Sequence, residues 1–173
     1  MCDTKLKILF YLTDFVGPQN ACIGIGQAFL ERGHEVCFLV DQQHKGKFAK
    51  YGFTEIMLNN ENIVQTPLKE FTKSIVTAGL FQNLSPLEKM KRIANTSFID
   101  DQFNRAKAYE PQIKVLLKEI KPDVIMIDSE LIPPSLIHSN IPWIYNFCSN
   151  PIGLFDSDKL PPFGSSSLIQ IQN

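Results

Sequence analysis

The sequence predicts an α/β fold, a Rossmann-like doubly wound parallel sheet with extra helices, and three observations predict it. The segments "KLKILFYLT" (5–13) and "HEVCFLV" (34–40) are apolar at nearly every position, as strands covered on both faces are. A helix with a clear end lies between them, so the three elements make one βαβ unit. The apolar segment "PDVIMIDSE" (122–130) then resumes the sheet after a long helical stretch.

The first helix and the segment after the second strand have clear boundary signals. Asn20 suits the N-cap of the helix, and Gly33 suits the left-handed position after its last turn. The segment "KGKFAKYGF" (45–53) predicts a short amphipathic helix ended by Gly52, and "FTEIML" (53–58) predicts a third strand.

Residues 59–121 carry helical patterns and no strand signal. A helix is expected from Pro67 to about Asn83, and the run from Ser85 to Glu88 is typical of a helix start, with proline at the first helical position. It opens a helical region to about Lys121, with a break expected near Pro111.

The last third of the chain returns to the sheet. The segment "IPPSLIHSN" (132–140) predicts a short helix, and "IPWIYNFC" (141–148) predicts another buried strand. The domain organisation that follows is a Rossmann-like domain at 1–160, with 161–173 as a linker or the start of a further segment.

Composition excludes several classes of protein. A formal net charge of −1 gives no reason to expect nucleic acid or an anionic membrane as partner. No apolar segment is long enough to span a bilayer, and the amino terminus is interpreted as a strand and not a signal peptide. The four cysteines are far apart in the sequence, so no metal site is predicted. Cys22 and Cys37 lie in apolar segments and are expected to be buried thiols. A reducing, cytoplasmic setting is the default expectation.

The loop and helix after the first strand lack a phosphate-binding pattern. Of its glycines only Gly17 lies in the predicted loop, while Gly24 and Gly26 fall inside the helix and are expected to permit close packing on the sheet. The missing glycine fingerprint argues against a nucleotide-dependent oxidoreductase. No GxxxxGK[ST] or GxSxG motif is present, which argues against a P-loop and a hydrolase triad.

Two carboxylates stand where strands end. Asp128 follows "VIMI" at the carboxyl end of a predicted parallel strand, the edge where open α/β sheets bind ligands. Asp14 follows the first strand in the same way. Each has an ordinary alternative, since Asp128 would also suit a cap for the next segment and Asp14 would suit an Asx turn.

The three histidines are predicted to lie away from both carboxylates. His34 starts the second strand at the opposite edge of the sheet, His44 is in a polar loop, and His138 ends a short helix. None is therefore expected to act as a base near Asp14 or Asp128.

Two long segments of the sequence resemble those of a known family. "NACIGIGQAFLERGHEVCFLVD" (20–41) and "KPDVIMIDSELIPPSLIHSNIPWI" (121–144) resemble the N-terminal, acceptor-binding domain of UDP-glycosyltransferases of GT-B fold. The resemblance is strongest to the cytosolic arthropod and mite-like branch, and it covers about Lys5 to Pro162. The segment "LPPFGSS" (160–166) resembles the loop that follows in some of these enzymes.

The resemblance implies transfer of a hexosyl unit from a UDP-sugar to a hydroxyl of a small lipophilic acceptor, as in detoxification. The UDP-sugar would be a co-substrate bound mainly by a second Rossmann-like half beyond residue 173, and no other cofactor is implied. In the family, a histidine in the loop after the first strand removes the acceptor proton, and an aspartate after a later strand orients that histidine. A positioned base of this kind accelerates such a reaction by roughly 10²–10⁴.

Carried over residue by residue, the aspartate position falls on Asp128 and the histidine position falls on Pro18. The family pattern Gly-His-x-Asn is Gly17-Pro18-Gln19-Asn20 in this chain, and proline cannot accept a proton. Asp128 is therefore the expected catalytic residue, with Asp128 or Asp14 as the remaining direct or water-mediated bases. The expected substrate-binding residues are Asp14, Phe15, Val16, Gly17, Pro18, Gln19, Asn20 and Ser129.

Two hypotheses follow. The chain is the acceptor half of an active transferase, either truncated here or with an unusual base. Alternatively, it is a non-catalytic relative that binds lipophilic ligands in a pocket lined by the loop after the first strand and by mobile helices around residues 63–105.

Overall fold

The computed structural model describes residues 4–59, 68–79 and 81–148. The chain divides into two compact units, which we call the first unit (1–63 and 105–148) and the second unit (64–104 and 149–173). The predicted boundary near residue 160 and the segment "LPPFGSS" lie outside the described residues.

The first unit is built on a parallel sheet in the strand order β3-β2-β1-β4-β5. Its strands are β1 Lys7–Leu12, β2 Glu35–Asp41, β3 Thr54–Leu58, β4 Val124–Asp128 and β5 Trp143–Tyr145. The order reverses between β1 and β4, as in doubly wound folds, and ligands of such sheets bind at that reversal. The predicted fold class is confirmed.

The helices fall into both units. They are α1 Val16–Glu31, α2 Leu68–Thr77, α3 Pro86–Ala94, α4 Phe98–Ile120 and α5 Pro134–Ile137. In the first unit α1 packs on one face of the sheet, where Ile8 and Phe10 point, and α4 packs on the other face, where Leu9 and Tyr11 point. Both faces are therefore buried, which explains the uninterrupted apolar strands.

Helix α1 begins earlier than the sequence indicated. Its N-cap is Phe15, and Asn20 lies inside the helix, so the prediction of an Asn20 cap is wrong. The amide of Gln19 already donates to the carbonyl oxygen of Phe15 at 3.1 Å. Pro18 does not prevent this start because the first turn of a helix needs no donor from it. The end is as predicted, with Gly33 at φ +84°.

The two glycines inside α1 differ. A β-carbon added at Gly26 would lie 2.9 Å from the ring of Phe53, so the predicted close approach to the sheet side is confirmed there. At Gly24 nothing lies within 4 Å, and the packing prediction is wrong for that residue because Gly24 is on the exposed side of α1.

The segment after β2 is tighter than predicted. Instead of one amphipathic helix it forms two 3₁₀ turns, Gln42–His44 and Ala49–Tyr51. The Glu55 carboxylate accepts hydrogen bonds from the backbone amides of Gly46, Phe48 and Ala49, at 2.6–3.0 Å, and these bonds stabilise the two turns. The predicted stop at Gly52 is confirmed by its φ of +87°.

Helix α4 continues through Pro111, so the predicted break at that residue is wrong. The chain instead breaks between α3 and α4, after Ala94. Tyr109, Ile113 and Leu117 are buried against the sheet, and this packing holds the helix together on both sides of the proline. The predicted start of α3 is confirmed as a reciprocal capping box of Ser85 and Glu88.

Strand β5 is present where predicted but is not buried. Trp143 is 44% exposed and Ile144 is 52% exposed, so the described residues leave these side chains partly uncovered, and there β5 pairs with β4 alone. No helix in the described ranges has the length and apolar character needed to cross a membrane.

Candidate functional site

Asp128 ends β4 beside the end of β1, at the reversal of strand order. Leu12 pairs with Asp128, and the amide of Thr13 donates to the Asp128 carbonyl at 2.8 Å. The carboxylate is buried and accepts a hydrogen bond from Asn146 Nδ2 at 2.8 Å. Burial raises its pKa, and hydrogen bonds from Cys148 and Asn146 only partly oppose this. The predicted position of Asp128 is thus confirmed, while its catalytic role stays a prediction.

The two thiols near Asp128 both have raised pKa values. Asn146 Nδ2 also lies 3.7 Å from the sulfur of Cys22. Burial raises the pKa of Cys22 to about 12 and that of Cys148 to about 11, and neighbouring Asp128 adds to both. Thiolates are the nucleophilic form, so neither cysteine is suited to attack a substrate. Cys22 and Cys37 are buried and free, as predicted.

A second polar group lies on the β2 side of the same edge, and we call Asp14, Asp41, His44 and Arg105 the Asp14 cluster. The Asp14 carboxylate lies 2.6 Å from Arg105 Nη1 and 2.9 Å from His44 Nδ1. The same His44 nitrogen lies 3.0 Å from Asp41 Oδ1, and Arg105 Nη1 lies 3.5 Å from Asp41. Gln43 adds a hydrogen bond to Asp14.

Opposite charges stabilise one another within the Asp14 cluster. Burial lowers the pKa of His44, but the hydrogen bonds and charges of Asp14 and Asp41 outweigh it and raise the pKa to about 9. Burial raises the pKa of Asp14, but His44 and Arg105 together hold it below its ordinary value. At neutral pH the Asp14 carboxylate is therefore paired with the Arg105 guanidinium and the His44 imidazolium.

The cluster opens on a cavity of about 30 Å³, which is room for roughly one or two water molecules. Its wall includes Thr13, whose side-chain hydroxyl is buried and has no hydrogen-bond partner among the described residues. The rest of the lining is the amide side chain of Gln19 and seven apolar or aromatic side chains: Tyr11, Leu12, Leu39, Val40, Phe48, Leu58 and Tyr109.

Three members of the cluster are positioned to hold a metal ion together. Asp14, Asp41 and His44 offer ligand atoms that lie within 4.8 Å of one another. The Arg105 guanidinium already supplies a positive charge to both carboxylates, and a cation would have to displace it. We therefore assign no metal to these residues.

The predicted substrate-binding residues are spread over different surroundings. Phe15 is the half-buried N-cap of α1, Pro18 is half-buried at its third residue, and three others are exposed: Val16, Gly17 and Asn20. Gln19 is buried and accepts a hydrogen bond from Lys47. Ser129 is buried and donates to the Leu131 carbonyl at 3.0 Å. Of the eight, Asp14 is in the cluster described above, and whether these residues bind substrate stays a prediction.

The prediction that no histidine lies near Asp14 is wrong, because His44 contacts it directly. Parallel strands end at one edge, so the turn after β2 necessarily lies beside the loop after β1. The sequence signal for this contact was Asp41 at the end of β2, followed three residues later by His44. Arg105 is 91 residues from Asp14 and nothing local indicated it.

Comparisons with known proteins show the fold. No protein-family model matches the chain, and no curated protein matches it. A solved glycosyltransferase of kitacinnamycin matches 84% of this chain at a TM-score of 0.53 and 15% identity. The glycosyltransferase SnogD from Streptomyces nogalater matches 92% at a TM-score of 0.50 and 12% identity. The chain spans 31% and 52% of these two proteins, respectively, so it has the fold of a part of each.

Proposed function

We propose that this chain is the acceptor-binding half of a UDP-sugar-dependent glycosyltransferase, which moves a hexosyl unit to a hydroxyl of a small lipophilic molecule. We also propose that the chain belongs to the cytosolic arthropod and mite-like branch that its sequence resembles, and that it acts in detoxification. The observation that carries it is the sheet edge, where the loop after β1 and the buried Asp128 meet at the reversal of strand order. The fold shared with two solved glycosyltransferases supports it.

Asp128 is suited to act on an acceptor hydroxyl. Its carboxylate is buried at the crevice where doubly wound sheets place ligands, and one oxygen is already fixed by Asn146. A fixed, poorly solvated carboxylate accepts a hydrogen bond from a hydroxyl more strongly than one in water. We therefore propose that Asp128 contacts and orients the acceptor.

A second function has one observation in its favour. Pro18 occupies the position that the resemblance assigns to the base, and among the described residues the side chain of Asp128 has Asn146 and Cys148 as partners instead of a histidine. A relative without catalysis, which binds a lipophilic ligand, would need neither base nor donor.

Transfer activity separates the two functions. The full-length gene product is incubated with a UDP-sugar and a panel of phenols and alcohols, and products are identified by mass spectrometry. We expect transfer to at least one acceptor and a loss of roughly 10²-fold or more in kcat/KM for Asp128→Asn. Ligand binding without any transfer would favour the non-catalytic relative. Lys50→Gln, an exposed residue of the second 3₁₀ turn, is the control and should match wild type.

A further inference from the structure

The two ring nitrogens of His44 have different surroundings. Nδ1 lies 2.9 Å from Asp14 Oδ1 and 3.0 Å from Asp41 Oδ1, so both carboxylates hold the same nitrogen. No described residue makes a hydrogen bond to Nε2 of His44, and the side chain is 17% exposed. The imidazole is thus fixed at one nitrogen and open at the other.

This arrangement has a chemical consequence. A histidine whose Nδ1 hydrogen is held by a carboxylate carries its lone pair on Nε2 when it is neutral. The carboxylates also stabilise the positive charge that appears when Nε2 takes a proton. His44 is therefore oriented and stabilised as a general base must be. Pro18 has no group that accepts a proton and cannot act as a base.

The cavity beside His44 indicates what would approach it. A volume of about 30 Å³ admits a hydroxyl group but not a whole lipophilic molecule. The hydroxyl of Thr13 lines this cavity and lacks a partner among the described residues. A buried hydroxyl without a partner is costly, and an entering hydroxyl would satisfy it.

We propose that His44 is the general base of the transfer and that the acceptor hydroxyl enters this cavity, where it bonds to Thr13. This inference rests on the proposed function. Nε2 of neutral His44 takes the hydroxyl proton while the acceptor oxygen forms a bond to the anomeric carbon of the UDP-sugar. The bond from that carbon to the UDP oxygen breaks, UDP leaves with the electron pair, and His44 then releases its proton to water.

Asp128 acts elsewhere on the acceptor under this proposal. Strands β2 and β4 flank β1 on opposite sides, and neighbouring strands lie about 4.8 Å apart, which puts roughly 10 Å between the ends of β2 and β4. One hydroxyl does not reach both. Asp128 therefore binds and orients a second polar group of the acceptor, and its loss should raise KM more than it lowers kcat.

The charged and titratable groups that face His44 set its pH dependence. They are Asp14 from the loop after β1, Asp41 from β2, Arg105 from α4, and the two tyrosines that line the cavity, Tyr11 and Tyr109. The net effect raises the pKa of His44 to about 9. Because a base must be neutral, kcat should rise with pH toward about 9.

Steady-state kinetics of the full-length gene product across pH test the proposal. His44→Gln should lower kcat by roughly 10²–10⁴ and remove the alkaline rise. Asp41→Asn keeps the imidazole but removes one of its carboxylates, so the rise should move to lower pH. His138→Gln, an exposed histidine outside the Asp14 cluster, is the matched control and should behave as wild type. Circular dichroism confirms that each variant is folded.

The outcomes are distinct. A kcat and pH profile unchanged in His44→Gln, with wild-type transfer intact, would overturn the role of His44 and leave the proposed function standing. If His44→Gln fails to fold, an unmoved profile in Asp41→Asn overturns it in the same way. An absence of transfer by the wild-type protein overturns the proposed function, and the role of His44 with it.

Discussion

The carboxylates of Asp14 and Asp41 stabilise the positive charge of His44, and Arg105 completes the cluster by pairing with Asp14. Asp14 follows β1, Asp41 ends β2, and Arg105 lies on α4, and all three meet within hydrogen-bond or ion-pair distance. The two carboxylates make the protonated imidazole more stable in the folded protein than in the unfolded chain. The stability of the folded protein therefore depends on pH through the protonation of His44.

The Asp14 cluster should lose stability at alkaline pH. The folded-state pKa of His44 is raised from 6.5 to about 9, so its contribution is complete below about 6.5 and is lost as pH rises through about 9. We expect His44→Gln to lower the free energy of unfolding by at most about 3 kcal/mol at pH 6 and to have little effect above pH 9. Urea unfolding at several pH values measures this, with His138→Gln as control. An equal loss at pH 6 and pH 10 would contradict it.

The charge of Asp128 should affect stability in the opposite direction, since its ionised form should destabilise the fold. Burial raises its pKa, so the folded protein prefers the protonated carboxyl, and the ionised form costs stability once pH exceeds the folded-state pKa. Asn at this position keeps an oxygen that can accept the hydrogen bond from Asn146 and removes the charge. We expect Asp128→Asn to have a Tm at pH 7 at least as high as wild type while its activity falls. A markedly lower Tm would show that the charge stabilises the fold.

At the scale of elements, sequence patterns predicted which segments form strands and helices, and missed some of their ends and surroundings. The strands, the capping box of α3 and the left-handed Gly33 and Gly52 depend on local chemistry, which the sequence shows directly. The start of α1, the uninterrupted α4 and the exposed β5 depend on packing and on neighbours. The Asp14 cluster was missed for the same reason, since Arg105 reaches it only through the tertiary fold.

The two glycines of α1 provide a matched pair. At Gly26 a methyl group would meet the buried ring of Phe53 at 2.9 Å, which should destabilise Gly26→Ala by about 1–3 kcal/mol. At Gly24 a methyl group meets nothing, so Gly24→Ala should stabilise the helix by about 0.5–1 kcal/mol. Thermal unfolding of both variants measures the difference, and effects of the same sign would contradict the packing described.

Pro111 should be a net cost to α4. It lacks the amide that would donate to the Lys107 carbonyl, and it is exposed, so no packing offsets the loss. After allowing for the stiffer unfolded chain, we expect Pro111→Ala to raise stability by roughly 1–2 kcal/mol. Pro86→Ala, at the first position of α3, is the control and should change little. A lower stability of Pro111→Ala than of wild type would contradict this and would mean that the proline stabilises the helix.

The whole molecule brings together residues that are far apart in the chain. The strand order β3-β2-β1-β4-β5 places the loop after β1, which carries Asp14, between Asp128 at the end of β4 and the Asp41 and His44 side chains at and after the end of β2. The sequence predicted the sheet and the position of Asp128 because both follow from apolar strands and their ends. It did not predict that a histidine, His44, stands beside that loop.

The most direct measurement is transfer by the full-length gene product from a UDP-sugar to a panel of lipophilic phenols and alcohols, followed by mass spectrometry. We expect at least one acceptor to gain a single hexosyl unit, at a rate that rises with pH toward about 9. Acceptors that bind but gain no hexosyl unit at any pH would contradict it.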